Sequence, residues 1–342
     1  MTMRRCAAHW LIIGWAMVFC SIGVARSEPV PVTITSLDPR FDRLVAKDAT
    51  LEKIADGFTW VEGPVWDNAG GYLLFSDIPT NSIYKWKPGE GVSLFLKNSG
   101  YEGPMPFAGK EPGSNGLTLD ARGRLVLCRH GERQIGRLEP DGRITVLADQ
   151  YNDHRLNSPN DLVFKSNGDL YFTDPPFGLP GGFADPGKAP VQGVYRLQPD
   201  GTLTLLIADI TAPNGIAFSP DEKTLYVSDV DPKRAAWLAY DVNADGTVAK
   251  GRVLFDATRW RKDPFFGPDG FKVDRQGYLF GARPGGLSVI APDGTLLGTI
   301  ETGQPTSNVA WGEDGHTLFI TGGSTVYRLR LKTRGLPDGA QH

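Results

Sequence analysis

The chain has 342 residues, 36 basic and 39 acidic side chains and a formal charge of −3, with 42 glycines, 26 prolines and three cysteines. A mildly acidic balance argues against a nucleic-acid partner, whose phosphates demand a basic face. Three cysteines at these spacings make neither a disulfide framework nor a thiolate metal site.

The first element in chain order is not part of a fold. Arg4 and Arg5 precede the apolar run "WLIIGWAMVFCSIGVA", followed by "ARSEP" with small residues at Ala25 and Ser27. That order is the pattern of a secretory signal peptide, so residues 1–27 are read as removed, with cleavage near Ser27. A retained membrane anchor is the alternative, but the run is short for a spanning helix and no basic stop-transfer cluster follows. The expected location is therefore periplasmic or secreted, with no membrane attachment after cleavage. Loss of Arg4, Arg5 and Arg26 takes the 36 basic residues to 33 against 39 acidic, a formal charge of −6. Cys6 and Cys20 leave as well, so Cys128 stands alone and the mature chain must rest on its core. Residues 28–50 read as an N-terminal extension.

Beyond it a repeat sets the architecture. Each unit opens on one polar residue, the head, followed by an apolar strand, a glycine turn and a second apolar strand. Glu62 heads "EGPVWDNAGGYLLFSD", Asn115 heads "NGLTLDARGRLVLCR", and Asn160 heads "NDLVFKSNGDLYFTD". Asn214 heads "NGIAFSPDEKTLYVSD", Asp269 heads "DGFKVDRQGYLFGAR", and Asn308 heads "NVAWGEDGHTLFITG". The interval to the last strand residue is 14 or 15 in every unit, ending at Asp77, Arg129, Asp174, Asp229, Arg283 and Gly322. A second hairpin follows in five of the units, clearest in "IGRLEPDGRITVLAD", "VYRLQPDGTLTLLIAD" and "LSVIAPDGTLLGTIE", where Pro-Asp-Gly supplies the turn.

Six units of four strands predict an all-β, six-bladed β-propeller over residues 51–335, with a tail at 336–342. The last unit lacks an outer strand after "VYRLRLK". "TLEKIADGF", near the mature N-terminus, resembles the fourth strands of other units and is expected to pair there and close the ring. A doubly wound α/β fold would need amphipathic crossover helices that the sequence does not contain. Two connections exceed what the repeat needs, at 98–114 and 175–192; such insertions are usually functional or mobile, with surface decoration as the alternative for each. "DVNADG" (241–246) begins like an EF-hand loop, but its twelfth position is Arg252 instead of a bidentate Glu, so it reads as a hairpin connection.

In a propeller the first strand of each blade lines the central channel, so Glu62, Asn115, Asn160, Asn214, Asp269 and Asn308 should converge at one height. Carboxylates and amides drawn together without a partner would repel or lose hydration, which calls for a cation between them. Hard oxygen donors of this kind suit Ca²⁺ best, with Mg²⁺, Mn²⁺ or Zn²⁺ as lesser possibilities. Zinc is disfavoured because no HExxH helix or cysteine cluster occurs.

"EGPVW", "SPNDLVF", "PNGIAFSPD" and "PDGFKVD", in this order and at blade spacing, resemble the SMP-30/gluconolactonase/regucalcin family. "GSNGLTLDARGRLVLCRHGERQIGRLEPDG" is similar to its bacterial gluconolactonase branch. The resemblance covers roughly residues 50–332 and implies a six-bladed propeller with one divalent ion in the channel and lactonase activity. It further implies metal binding by Glu62, Asn214 and Asp269, with Asn160 at or beside the ion and Asp269 as the catalytic acid/base residue. One departure is Ser158, where the regucalcin branch carries an Arg that helps hold the sugar.

The chemistry expected is hydrolysis of a small-molecule lactone: a partly coordinated cation polarises the carbonyl, and Asp269 takes a proton from water or attacks directly. Asn115 and Asn160 can hydrogen-bond the hydroxyls of a sugar ring. A serine hydrolase is the rival mechanism, but no GxSxG elbow occurs. His130 is a candidate for substrate contact or proton transfer, with a hydrogen-bonded structural role as its alternative. Asp77, Asp174 and Asp229 end second strands and are expected to cap turns. Asp174, just before the 175–192 connection, is the one offered as a substrate contact. Arg129 and Arg283 stand at equivalent places, where blade-to-blade ion pairs are the structural expectation. A non-catalytic propeller that binds calcium or carbohydrate, or docks a partner, is the reading from another class.

Overall fold

The computed structural model describes residues 27–261 and 266–336, and its sheets form a six-bladed β-propeller. Residues 1–26 of the segment read as an export signal lie outside the described residues. From the axis outward, blade 1 is Val61–Asp67, Tyr72–Asp77, Ser82–Lys87 and Gly91–Lys97. Blade 2 runs Ser114–Leu119, Leu125–Arg129, Gln134–Leu138 and Ile144–Ala148. Blade 3 runs Leu162–Phe164, Leu170–Asp174, Gly193–Leu197 and Leu203–Ile207. Blade 4 is Pro213–Phe218, Thr224–Asp229, Ala236–Asp241 and Arg252–Asp256. Blade 5 is Phe271–Val273, Leu279–Arg283, Gly286–Ile290 and Leu296–Glu301. Blade 6 is Thr306–Gly312, Thr317–Gly322 and Thr325–Arg330, completed by Leu51–Ala55 from the other end of the chain.

The closure follows the expected pairing, with Val326 opposite Ala55 and Leu329 opposite Leu51 in an antiparallel register. Segment 28–50 is more than an extension. Glu28–Val30 adds a fifth strand outside blade 6, and Thr33–Ser36 adds one outside blade 5. The short helix Phe41–Leu44 buries both its terminal residues among apolar side chains of those two blades.

Inner strands are largely buried because each is flanked by neighbouring blades, whereas the outer strand Gly91–Lys97 exposes Leu94 and Phe95. Aromatic side chains fill the wedges between blades. Trp66 stacks on Phe319 at 5.2 Å between blades 1 and 6, and Tyr171 meets Phe218 edge-on at 4.9 Å between blades 3 and 4. The Pro-Asp-Gly turns form as read: Gly142, Gly201 and Gly294 donate back to Glu139, Gln198 and Ala291, each at 2.9 Å. Each of these glycines has a left-handed φ, from 85 to 89°, which a side chain rarely adopts. "DVNADG" is a hairpin connection. Arg252, at the twelfth position of the EF-hand pattern, donates to Asp241 at 2.7 Å across its base.

Candidate active site

All six heads stand at the start of an inner strand. Glu62, Asn115, Asn214 and Asn308 lie within the first residues of theirs. Asn160 and Asp269 stand two residues before the strands Leu162–Phe164 and Phe271–Val273. In four units the head is followed by glycine, and the structure gives the reason. A Cβ on Gly63 would stand 2.1 Å from the Asn115 carbonyl oxygen, and one on Gly116 would stand 2.6 Å from that of Asn160. On Gly215 it would meet the Asp269 carbonyl at 2.7 Å, and on Gly270 the Asn308 side chain at 2.0 Å. Each glycine thus lets the next blade's head approach closely.

Hydroxyls from the second strands tie the heads in place. Ser76 donates to the Asn115 carbonyl at 2.8 Å, Thr173 to that of Asn214 at 2.7 Å, and Ser228 to that of Asp269 at 2.9 Å. The pairing of first and second strands shifts register at Glu62, Asn214 and Asn308. Bulges of this kind re-aim a side chain.

One site residue escaped the sequence reading. Asp161 occupies the place that glycine holds in four other units, and it is only 2% exposed. Its Oδ1 accepts the Leu162 N–H at 2.9 Å, and its Oδ2 lies 3.5 Å from the Asn308 amide nitrogen. Blades 3 and 6 face each other across the axis, so this contact spans the channel. The available signal was the break in the head-glycine pattern at "ND".

Three carboxylates therefore share a confined space. Burial pushes the Glu62 carboxyl well above its usual range, and the charges of Asp269, Asp161 and Glu111 add to the effect. Asp269 is also raised, chiefly by burial and then by Asp161 and Glu111, against hydrogen bonds from the Gly270 N–H and the Asn214 side chain that lower it. Asp269 is the one head that keeps partial exposure. Among the described residues no cluster of three or more His, Cys, Asp or Glu is set to hold a metal ion. The donors here are mixed, carboxylates with the amides of Asn160, Asn214 and Asn308, and such hard oxygen atoms fit a calcium-like ion. The raised carboxyl pKa values are those of a cluster whose leading influences include no cationic side chain.

The remaining expectations divide. Asp77, Asp174 and Asp229 cap the chain entering their blades, accepting the N–H groups of Trp60, Asn157 and Ala212 at 2.8–2.9 Å. The offer of Asp174 as a substrate contact is corrected: the side chain is fully buried and holds Asn157. Ion pairs between blade-end Asp and Arg do not form either. Arg129 pairs with Glu102 of the preceding connection, and Arg283 with Glu301 of its own blade. His130 is buried, with Nδ1 3.1 Å from Glu111 Oε2 and no aligned hydrogen bond at either ring nitrogen. Ser158 is turned inward, donating to the Pro175 carbonyl and accepting the Gly178 N–H, and so anchors the 175–192 connection. A cavity of about 560 Å³ opens at the far end of the ring, between blades 2 and 3, away from the heads.

The chain is similar to known proteins along most of its length. The chain is 43% identical over 312 residues to a gluconolactonase of Zymomonas mobilis, covering 88% of this chain and 87% of that protein. It is 26% identical over 268 residues to a pentonolactonase of Haloferax volcanii, covering 76% and 80%. A solved Xanthomonas campestris gluconolactonase superposes with a TM-score of 0.77 at 34% identity, covering 90% of this chain and 98% of the other. The SMP-30/gluconolactonase/LRE-like family model matches residues 60–324, from just before the first head through the last, and the chain belongs to that family.

Proposed function

We propose that the protein is a lactonase that hydrolyses a sugar lactone with one bound divalent cation, Ca²⁺ by preference. The observation that carries this is the convergence of Glu62, Asp161 and Asp269 with three amides at one mouth of the channel, an arrangement a docking platform does not need. Similarity to gluconolactonases over nearly the whole chain supports the same reading.

Glu62, Asn160, Asn214 and Asp269 would hold the ion. Bound there, it would polarise the lactone carbonyl and lower the pKa of nearby water. Asp269, partly open to solvent, takes the proton of the water that attacks the carbonyl carbon. The Asn214 amide orients the Asp269 carboxylate through its hydrogen bond. Asn115 and Asn160 hydrogen-bond ring hydroxyls and so set the substrate's pose. The ring C–O bond then breaks and its oxygen takes the proton from Asp269, giving the hydroxy acid.

The test is acid release from glucono-δ-lactone at constant pH, before and after chelation and with Ca²⁺, Mg²⁺, Mn²⁺ and Zn²⁺ restored singly. Turnover lost on chelation and regained with Ca²⁺ supports the proposal. Chelator-resistant turnover refutes the metal's part, and inactivity on a lactone panel leaves the binding-protein reading. Export belongs to the same proposal: the mature N-terminus, sequenced from protein outside the cytoplasm, should fall near Ser27.

A further inference from the structure

Glu111 is an acidic group at the channel mouth that belongs to no head. It stands in the connection between blades 1 and 2, with its side chain 34% exposed and its Oε2 3.1 Å from Nδ1 of His130. His130 follows the second strand of blade 2 and is fully buried, with neither ring nitrogen given an aligned hydrogen-bond partner. Buried polar atoms are almost always satisfied, so such an imidazole calls for a partner. Among the described residues, the charged group beside it is the Glu111 carboxylate.

The second long connection holds the ring from another side. A Cβ on Gly178 would fall 2.5 Å from the imidazole, and the Gly178 N–H is fixed on Ser158 Oγ at 2.9 Å. The two connections also touch, since a Cβ on Gly109 would lie 3.0 Å from the Cα of Pro180. The imidazole is therefore pinned, and Glu111 is held with part of its surface open. The His130 backbone N–H donates to the Gly113 carbonyl at 3.2 Å, directly before the Ser114–Leu119 strand that carries Asn115, so Glu111 lies at the same end of the ring as the heads.

We propose that Glu111, positioned by His130, contacts substrate by accepting hydrogen bonds from the ring hydroxyls of a polyhydroxylated lactone, and so selects sugar lactones over unsubstituted ones. This rests on the lactonase reading. An ionised carboxylate accepts hydroxyls through short charge-assisted bonds. A site that presents such an acceptor discriminates strongly against an analogue lacking the hydroxyl. Holding the acceptor in advance spares the entropy of ordering it on binding.

The experiment compares kcat and KM on glucono-δ-lactone and δ-valerolactone for the parent protein, Glu111→Ala, His130→Gln and the double variant. Glu111→Ala should raise KM for gluconolactone roughly tenfold or more, and change KM for valerolactone far less, so that the ratio of the two KM values rises. His130→Gln should give a smaller rise that vanishes in the Glu111→Ala background, because it acts only through Glu111. An unchanged KM ratio between the two lactones in folded Glu111→Ala overturns the proposal. Additive effects of the two substitutions overturn the part given to His130. A parent protein that turns over neither lactone would fail the lactonase reading itself, a result distinct from both.

Discussion

At the scale of single residues, identical side chains do opposite work according to where the strand places them. Asp269 begins an inner strand and keeps partial exposure, while Asp229 ends a second strand and caps the chain with its Oδ1. Asp269→Asn should lower kcat at least about a hundredfold, the usual size of a lost general base, with the circular dichroism spectrum unchanged. Asp229 differs because its role is in stability. Burial pushes its carboxyl from 3.8 up to about 6. A folded-state pKa above the unfolded value means that folding takes up a proton between the two. That contribution is fully present below about pH 4 and is lost as pH rises through 6. In urea melts at pH 4 and pH 7, Asp229→Asn should change its stability difference from the parent by a few kcal/mol, flattening the pH curve. The sequence shows both acids equally well, and only their position in the repeat separates head from cap. Asp161 was hidden because one head was assigned per unit, and it is the residue after a head. Glu111 was hidden for another reason, since a long connection has no periodicity from which to read direction.

At the scale of the element, the inner strands are legible and their contacts are not. The alternation of apolar strand and glycine turn gives four strands per blade, but nothing in a single unit says what the glycine after the head avoids. It avoids the neighbouring blade. Gly116→Ala would press its Cβ to 2.6 Å from the Asn160 backbone oxygen and 2.8 Å from the Asp161 Cα. Backbone atoms there cannot yield cheaply, so we expect a loss of about 1–3 kcal/mol in urea midpoint analysis. Activity should fall more than stability accounts for, because Asn160 and Asp161 would move together. The fifth strands were not legible at all. "EPV" and "TITS" are three and four residues long, without a turn to a sequence neighbour. Their pairing is set by distant edges that exist only once blades 5 and 6 have formed.

At the scale of the whole molecule, the ring is a closed circuit whose last link joins the two ends of the chain. Glu52 accepts a hydrogen bond from Arg328 Nε at 2.8 Å across 276 positions of sequence. Truncation through Pro31 removes only an edge strand and should leave a soluble protein with a slightly lower melting temperature. Truncation through Ala55 uncovers Thr325–Arg330 along its length and should give aggregation or a large loss of melting temperature, read by light scattering and thermal melts. Six blades and this link follow from the sequence because a repeat count that leaves one strand missing demands a donor elsewhere. The same buckle dictates an order of events during biosynthesis. The segment made first must wait, unmated, for the segment made last, and bringing together sites so remote is slow. A chain cut short by a premature stop is therefore no smaller version of the protein. It is a string of blades with an unfastened belt, offering its free β edges to any similar chain nearby.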